Sequence, residues 1–302
     1  LMNILLNHKG EIAAILTAVC WTFTGLAFEY AGKKIGSLTV NLVRLFIGFI
    51  FLGIYTFIVN GYFFPVYADS HAWLWLSLSG IVGFLIGDLL LFQAFVVTGA
   101  RVSMLIMSLA PPITAFFGWI ILGEKLSLLN LFGMTITISG IAIVILSKSP
   151  SGSKKLSSQY PLKGILLAFG GAAGQGLGLV LSKLGMKELD PFVSTQIRVL
   201  VGFIGFSLLF LFTKRWKYVF VAIRNRKAMI GTTIGSFFGP FLGVSLSLLA
   251  LKYTTAGVAS TLNSLSPIII IPLAWMLLKE KITLKDIVGS LIAVVGVILF
   301  FI

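Results

Sequence analysis

A chain of 302 residues with 58% hydrophobic residues, 11% charged residues and a mean hydropathy of +1.06 is not a soluble protein, because soluble chains carry roughly 25% charged residues. The net charge of +14 would indicate nucleic-acid binding in a soluble protein, but here it predicts loop charges that fix membrane orientation. The single cysteine, Cys20, excludes an intramolecular disulfide and a cysteine-based metal site.

Ten segments of the chain are long and apolar enough to cross the hydrocarbon core of a bilayer, which takes about 20 residues. Each is predicted to be a helix, since a helix satisfies its own backbone hydrogen bonds in lipid. The ten segments are 11–30, 38–59, 72–97, 101–122, 128–147, 161–183, 191–213, 228–251, 258–278 and 286–302. The longest polar stretch, rich in serine, lysine and proline, predicts a linker at 150–160. It separates a first half, 1–149, from a second half, 161–302.

The two halves share sequence, which indicates an internal duplication. A shift of 156 residues aligns 83–140 with 239–296, and nineteen of those 58 positions carry identical residues. A shift of 154 aligns the earlier helices and pairs Arg44 with Arg198. Because each half holds an odd number of helices, the two halves enter the membrane from opposite sides. The predicted fold is an all-α membrane protein of ten transmembrane helices, arranged as two inverted five-helix repeats.

Each half also contains a proline-bearing apolar helix that ends in a Glu-Lys turn and leads into a glycine-spaced fifth helix. The repeated positions are Pro111/Pro267, Trp119/Trp275, Glu124/Glu280 and Gly133/Gly289. Over nearly all of the chain this pattern resembles the EamA-type transporters of the drug/metabolite transporter superfamily. The resemblance implies a central cavity, no enzymatic activity, no cofactor and the movement of small metabolites, often the export of amino-acid-like compounds. It also implies a multi-pass protein of a prokaryotic plasma membrane.

The loops differ in charge across the predicted membrane. Sixteen of the 23 lysines and arginines fall in the loops of one side and five in those of the other. The positive-inside rule places the more basic side in the cytoplasm and both termini outside. The resemblance implies cytoplasmic termini, so both orientations stay open.

Asp88 is the sharpest functional candidate, because it lies well inside the third predicted span. A carboxylate there costs roughly 2.5–3.5 kcal/mol on insertion scales. Its repeat equivalent is Val244, so the fold does not require a charge at this position. Asp88 could bind an amine substrate or carry a coupling proton. It could also be a structural carboxylate that is hydrogen-bonded to neighbouring helices or faces water.

Four charged residues are predicted to serve gating or structure. Arg44 and Arg198 lie about two turns into their spans, where their side chains could snorkel to the interface. In an inverted fold, Arg44 and Glu280 would share one side and Arg198 and Glu124 the other. Two reciprocal salt bridges, each formed in one access state, follow as a hypothesis. The alternative for both glutamates is a solvated turn.

The prolines are predicted to kink their helices near the middle of the membrane, at Pro111 and Pro267. Such a kink could act as a hinge, expose carbonyl groups to substrate, or only shape the packing. Serine and threonine hydroxyls near these prolines could line a cavity, or they could bond the backbone of their own helix. The residues predicted to line a cavity together with Asp88 are Trp21, Ser108, Gln175, Asn263 and Ser264.

The function predicted from these features is a secondary transporter that moves a small organic metabolite by alternating access at a midplane cavity. Its expected partners are the small-molecule substrate, membrane lipid and coupling protons, with no nucleic acid. Two alternatives stay open. One is a passive facilitator of the same fold, and the other is a membrane-embedded enzyme or lipid-handling protein. The second lacks support, since paired carboxylates and histidine clusters are absent from the sequence.

Overall fold

The computed structural model describes residues 8–98, 109–147, 161–266 and 284–299, together with positions 103, 106, 107, 268 and 269. Throughout these ranges the regular secondary structure is helical. Four residues named above, Ser108, Pro267, Trp275 and Glu280, lie outside the described residues.

Eleven helices are described. Two of them, α3 and α9, are each built from three consecutive segments, the middle one a π-helical turn. The helices are α1 Lys9–Ile35, α2 Ser37–Asn60, α3 Ser70–Ser79 with Gly80–Gly87 and Asp88–Thr98, α4 Ala110–Leu122, α5 Leu128–Ser147, α6 Leu162–Met186, α7 Pro191–Phe212, α8 Trp216–Arg224, α9 Arg226–Ser236 with Phe237–Gly243 and Val244–Tyr253, α10 Ala256–Asn263 and α11 Leu284–Ile298.

Six of these helices, α1, α2, α3, α6, α7 and α9, are long and apolar enough to cross a membrane. Helices α4, α5 and α11 are shorter apolar helices in the described ranges. Local sequence explains where several helices begin. The Asp69 side chain accepts from the Ala72 N–H at 2.8 Å and caps α3, and Asp190 accepts from Phe192 N–H at 2.8 Å and caps α7. Helix α8 was not predicted, since its segment was interpreted as a basic loop.

The duplication is visible in local geometry. The π turns of α3 and α9 occupy equivalent positions after the 156-residue shift. The N–H of Asp88 donates to the carbonyl of Gly83, and that of Val244 donates to the carbonyl of Gly239. Both are five-residue bonds, typical of π-helical turns, which are frequent at functional sites.

The predicted span 101–122 is interrupted at Leu109, two residues before Pro111. Pro111 lies in the first turn of α4, which begins at Ala110 after a turn at Leu109. Residues in the first turn of a helix have no helical acceptor for their N–H, so proline loses no hydrogen bond there. The equivalent helix is also interrupted, because α10 ends at Asn263 and the chain turns through Leu265.

The two repeats interlock. Helix α1 packs on α9 and α10, and its equivalent α6 packs on α3 and α4; α2 packs on α7, and α5 on α11. Small residues let α3 and α6 approach closely. A Cβ at Gly174 would lie 2.8 Å from the Gly87 Cα, and one at Gly178 would lie 3.0 Å from the Gly83 Cα. This close packing brings the end of the π turn of α3 against the middle of α6.

Candidate functional site

Asp88 is the first residue after the π turn of α3, and it is 5% exposed. Its two carboxylate oxygens have different partners. Arg44 Nη2 donates to Oδ2, and Gln175 Nε2 donates to Oδ1 at 2.8 Å. Gln175 also donates to the carbonyl of Gly83 at 3.3 Å. The carboxylate therefore ties α2, α3 and α6 together in the interior of the bundle.

Arg44 is held by this ion pair and does not snorkel. Its residue exposure is 5%, and its guanidinium lies 5.4 Å from the ring centroid of Phe28. The snorkelling prediction is wrong for Arg44, because a buried carboxylate compensates its charge inside the protein. Its Nε has no hydrogen-bond partner among the described residues.

Arg198 is equally buried, at 4% exposure, and it does not snorkel either. Its guanidinium lies 4.9 Å from the ring centroid of Phe84, and its Nη2 is 3.5 Å from the place a Cβ would occupy on Gly83. Asp88 acts on it electrostatically but beyond ion-pair distance. Within the described part of the chain, the guanidinium forms no hydrogen bond or ion pair.

The repeat explains why Arg198 has no ion-pair partner there. Arg198 is the equivalent of Arg44, and the position that would supply its carboxylate is occupied by Val244. Arg44 therefore has a carboxylate partner in Asp88, and Arg198 has none within the described residues. A buried charge without a partner is costly, so this arrangement is suited to an anionic group from outside the chain.

The predicted pairing of Arg198 with Glu124 is not formed. Glu124 Oε1 lies 2.6 Å from Lys183 Nζ, and Glu124 Oε2 accepts from the Ala256 N–H at 2.7 Å. Lys183 Nζ also donates to the carbonyl of Thr254 at 2.6 Å. We call these four residues the latch. It joins the end of α4, α6 and the connection between α9 and α10.

Arg44 pairs with Asp88, and its predicted pairing with Glu280 stays a prediction, because Glu280 lies outside the described residues. Sequence reasoning missed Lys183. The available signal was its repeat equivalent, Glu29, since a reversal of charge at an equivalent position indicates that the two ends of the protein differ.

The other residues predicted to line a cavity with Asp88 have separate surroundings. Trp21 is half-buried and packs against the apolar cluster that contains Val244. Asn263 donates to Ser247 Oγ at 2.8 Å. Ser264 Oγ donates to the carbonyl of Ser260, four residues earlier, at 2.9 Å. Its hydroxyl therefore bonds the helix backbone, as serine hydroxyls often do. Among the members of this set that the structure describes, Gln175 alone forms a hydrogen bond with Asp88; Ser108 lies outside the described residues.

Asn41 is a polar residue of the interior that was not predicted as part of a site. It is 1% exposed, and neither its Oδ1 nor its Nδ2 has a hydrogen-bond partner in the described ranges. It lies three residues before Arg44, so the two side chains share a face of α2. The signal in the sequence was an amide in an apolar span whose repeat equivalent, Thr195, is also polar.

Comparisons with known proteins agree on one family. The EamA-like transporter family model matches residues 8–146 and again residues 162–302. An uncharacterized transporter of Archaeoglobus fulgidus is 25% identical over 298 residues, which cover 96% of this chain and 97% of that protein. The uncharacterized transporter YoaV of Bacillus subtilis is 22% identical over 294 residues, which cover 96% of this chain and 95% of that protein.

Two further similarities are more limited. Solute carrier family 35 member G1 of Mus musculus is 30% identical over 134 residues, which cover 43% of this chain and 36% of that protein. A crystal structure of a protein with 15% sequence identity superposes with a TM-score of 0.79, over 97% of this chain and 96% of that chain. The second similarity concerns the fold alone.

Proposed function

The chain belongs to the EamA-like transporter family, and from that premise we propose that it is a secondary transporter of small organic metabolites that carry a carboxylate. Six apolar helices and relatives named as transporters make it an integral membrane protein. The observation that carries the substrate class is Arg198, a buried guanidinium that forms no hydrogen bond within the described ranges. Guanidinium groups match carboxylates bidentately.

The role of Asp88 follows from its two engaged oxygens. Since Arg44 and Gln175 already occupy the carboxylate, Asp88 is poorly placed to bind a substrate ammonium group directly. It instead compensates Arg44 and leaves Arg198 as the available charge. Asp88 also remains the candidate coupling group, because a proton on its carboxylate would loosen the pair and change how α2 and α3 are held.

Alternating access is supported by the duplication and by the reciprocal packing of the repeats. The proposed architecture has ten transmembrane helices in two inverted halves, 1–149 and 161–302, joined by a linker at 150–160. In such folds the binding site lies between the repeats, and discontinuous helices contribute to it. The interruptions before α4 and after α10 fit that pattern.

The latch provides a candidate gate. Lys183 and Glu124 join α6 to α4, and both also bond the backbone between α9 and α10. In the proposed cycle these contacts close one end of the protein and break when that end opens. Because the equivalent of Lys183 is Glu29, the other end would need a different closing contact.

The remaining parts of the proposal concern cellular context. We place the protein in the plasma membrane of a prokaryote, exporting amino-acid-like compounds with protons as the coupling ion. The lysine and arginine bias places the more basic side of the protein, including residues 214–227, in the cytoplasm.

Uptake into proteoliposomes tests the function. Purified protein is reconstituted, and the entry of radiolabelled amino acids and other small organic acids is followed with and without an imposed pH gradient. We expect saturable uptake of at least one carboxylate, accelerated by the gradient. Saturable uptake that ignores the gradient would indicate a passive facilitator. A panel that enters no faster than into protein-free vesicles would contradict the proposal for those substrates.

A further inference from the structure

A groove of about 470 Å³ lies between α1 and α9 on the outer surface of the bundle. The two helices run antiparallel here, because Gly231 contacts Tyr30 and Gly239 contacts Thr24. The groove extends over about 10 Å, the length of seven helical residues. Its side walls are apolar and half-exposed, and are formed by Phe23, Leu26, Tyr30, Ile230 and Ile234.

One end of the groove is positively charged. Lys227, in the first turn of α9, is the charged residue of the lining. In the antiparallel register of α1 and α9, Lys34 falls at the same end of the groove, and its Nζ lies 4.6 Å from the ring centroid of Tyr30. Both lysines are exposed, so both ammonium groups are available to a ligand at the mouth of the groove.

The chain just before α9 adds to this charge. Residues 214–227 contain six basic residues and no acidic residue. All six are exposed: Lys214, Arg215, Lys217, Arg224, Arg226 and Lys227. Such a concentration of positive charge beside a membrane-spanning helix attracts anionic lipid headgroups.

Helix α8 has the composition of a helix that lies in the membrane interface. Val219 and Ala222 are 7% and 1% exposed and pack against the protein. The apolar residues that flank its basic face are more than half exposed: Tyr218, Phe220, Val221 and Ile223. Interfacial helices combine a basic face with exposed aromatic and aliphatic side chains in this way. The mouth of the groove therefore lies at the level of the lipid headgroups.

We propose that the groove between α1 and α9 binds one anionic glycerophospholipid, with an acyl chain against the apolar walls and the phosphate between Lys34 and Lys227. The charge selects the ligand. A zwitterionic lipid offers its phosphate together with a cationic group, which the lysines and the neighbouring arginines repel. This site is separate from the Asp88 cluster and does not depend on the transported substrate.

Native mass spectrometry of the purified protein in detergent tests the site, with dioleoyl phosphatidylglycerol and dioleoyl phosphatidylcholine as the probes. We expect the wild-type protein to bind the phosphatidylglycerol more tightly. Each basic residue near a lipid surface contributes about 1 kcal/mol, or about fivefold. The variant Lys34→Gln/Lys227→Gln should therefore lose about 25-fold in affinity for phosphatidylglycerol and little for phosphatidylcholine.

Two control variants define the site. Lys252→Gln should bind both lipids like the wild type, because Lys252 lies at the other end of α9 from the groove. Its ion-pair partner there is Glu188, whose side chain is 96% exposed. Lys217→Gln/Arg224→Gln removes two charges from α8 and leaves the groove intact, so it should have the smaller effect. The proposal is overturned if the wild type does not discriminate between the lipids, or if the α8 variant loses as much affinity as the groove variant.

Discussion

Helices α3 and α9 occupy equivalent places in the two repeats and share a π turn, yet the residue after the turn is Asp88 in one and Val244 in the other. The neighbours differ in the same sense. Gln175 of α6 donates to Asp88, while its equivalent Trp21 of α1 packs against the apolar cluster that contains Val244. The contact between α6 and α3 is therefore polar at this position, while the equivalent position of α9 and α1 is apolar, although the two π turns have similar backbones.

The arginines do not follow this change. Arg44 and Arg198 are both retained and both buried, although a carboxylate is present at the equivalent position in the first copy alone. A fold that tolerates valine after the π turn does not need the aspartate for its architecture. The polar copy is therefore the one to test for function, and Arg198 is the residue whose charge the duplication leaves without its equivalent carboxylate.

Replacing Asp88 with the valine of the other copy should have the largest effect. Asp88→Val leaves the buried Arg44 without its carboxylate, and breaking one side of a buried ion pair costs about 3–5 kcal/mol. We expect a lower thermal midpoint in detergent and loss of transport in proteoliposomes.

The double variant Arg44→Met/Asp88→Val separates the two losses. Replacing both partners with apolar residues should recover most of the stability, while transport stays lost. A single variant as stable as the wild type would mean that the pair contributes little to the folded state.

Arg198→Met should act in the opposite direction on stability. An unpaired buried charge costs at least about 1–3 kcal/mol, so removing it should raise the thermal midpoint while transport falls. Arg44→Met is the matched comparison, because it should lower the midpoint by stranding Asp88. Equal shifts of the thermal midpoint in Arg198→Met and Arg44→Met would contradict the account, because they would mean that the pairing of Arg44 with Asp88 does not affect stability.

The glycine contact between α3 and α6 should give a smaller effect. Gly174→Ala places a Cβ 2.8 Å from the Gly87 Cα, and such overpacking costs about 1–3 kcal/mol. Gly25→Ala is the control, since a Cβ there has nothing within 4 Å. It should stabilise the helix by up to about 1 kcal/mol. Circular dichroism during heating measures both, and equal midpoints would contradict the close-packing account.

Patterns that depend on neighbouring residues were predictable from the sequence. Apolar length located the described helices other than α8, and self-comparison found the repeat that the π turns display at equivalent positions. A carboxylate in an apolar span identified Asp88 as a candidate. Each of these inferences needs only the chain's own periodicity and the cost of burying charge.

Features that depend on how distant helices meet were not predictable. The partner of Arg44 is 44 residues away, and no local sequence pattern indicates which helix supplies it. Glu124 meets Lys183 because α4 packs on α6, which the repeat alone did not specify. The position of Pro111 in the first turn of α4 was not predictable either, since an apolar run does not reveal the turn at Leu109 that precedes this helix.

Ligand-induced stabilisation tests the central claim most directly, because a ligand that binds the folded state raises its apparent stability by mass action. The probes are matched pairs of amino acids and their carboxamides, which differ in the carboxylate and share the side chain and ammonium group. We measure the thermal midpoint of the wild type and of Arg198→Met with each member of each pair. The account predicts that at least one amino acid stabilises the wild type, that its carboxamide does not, and that Arg198→Met loses the response. A carboxamide that stabilises as well as its acid, or an acid that stabilises Arg198→Met fully, would contradict it.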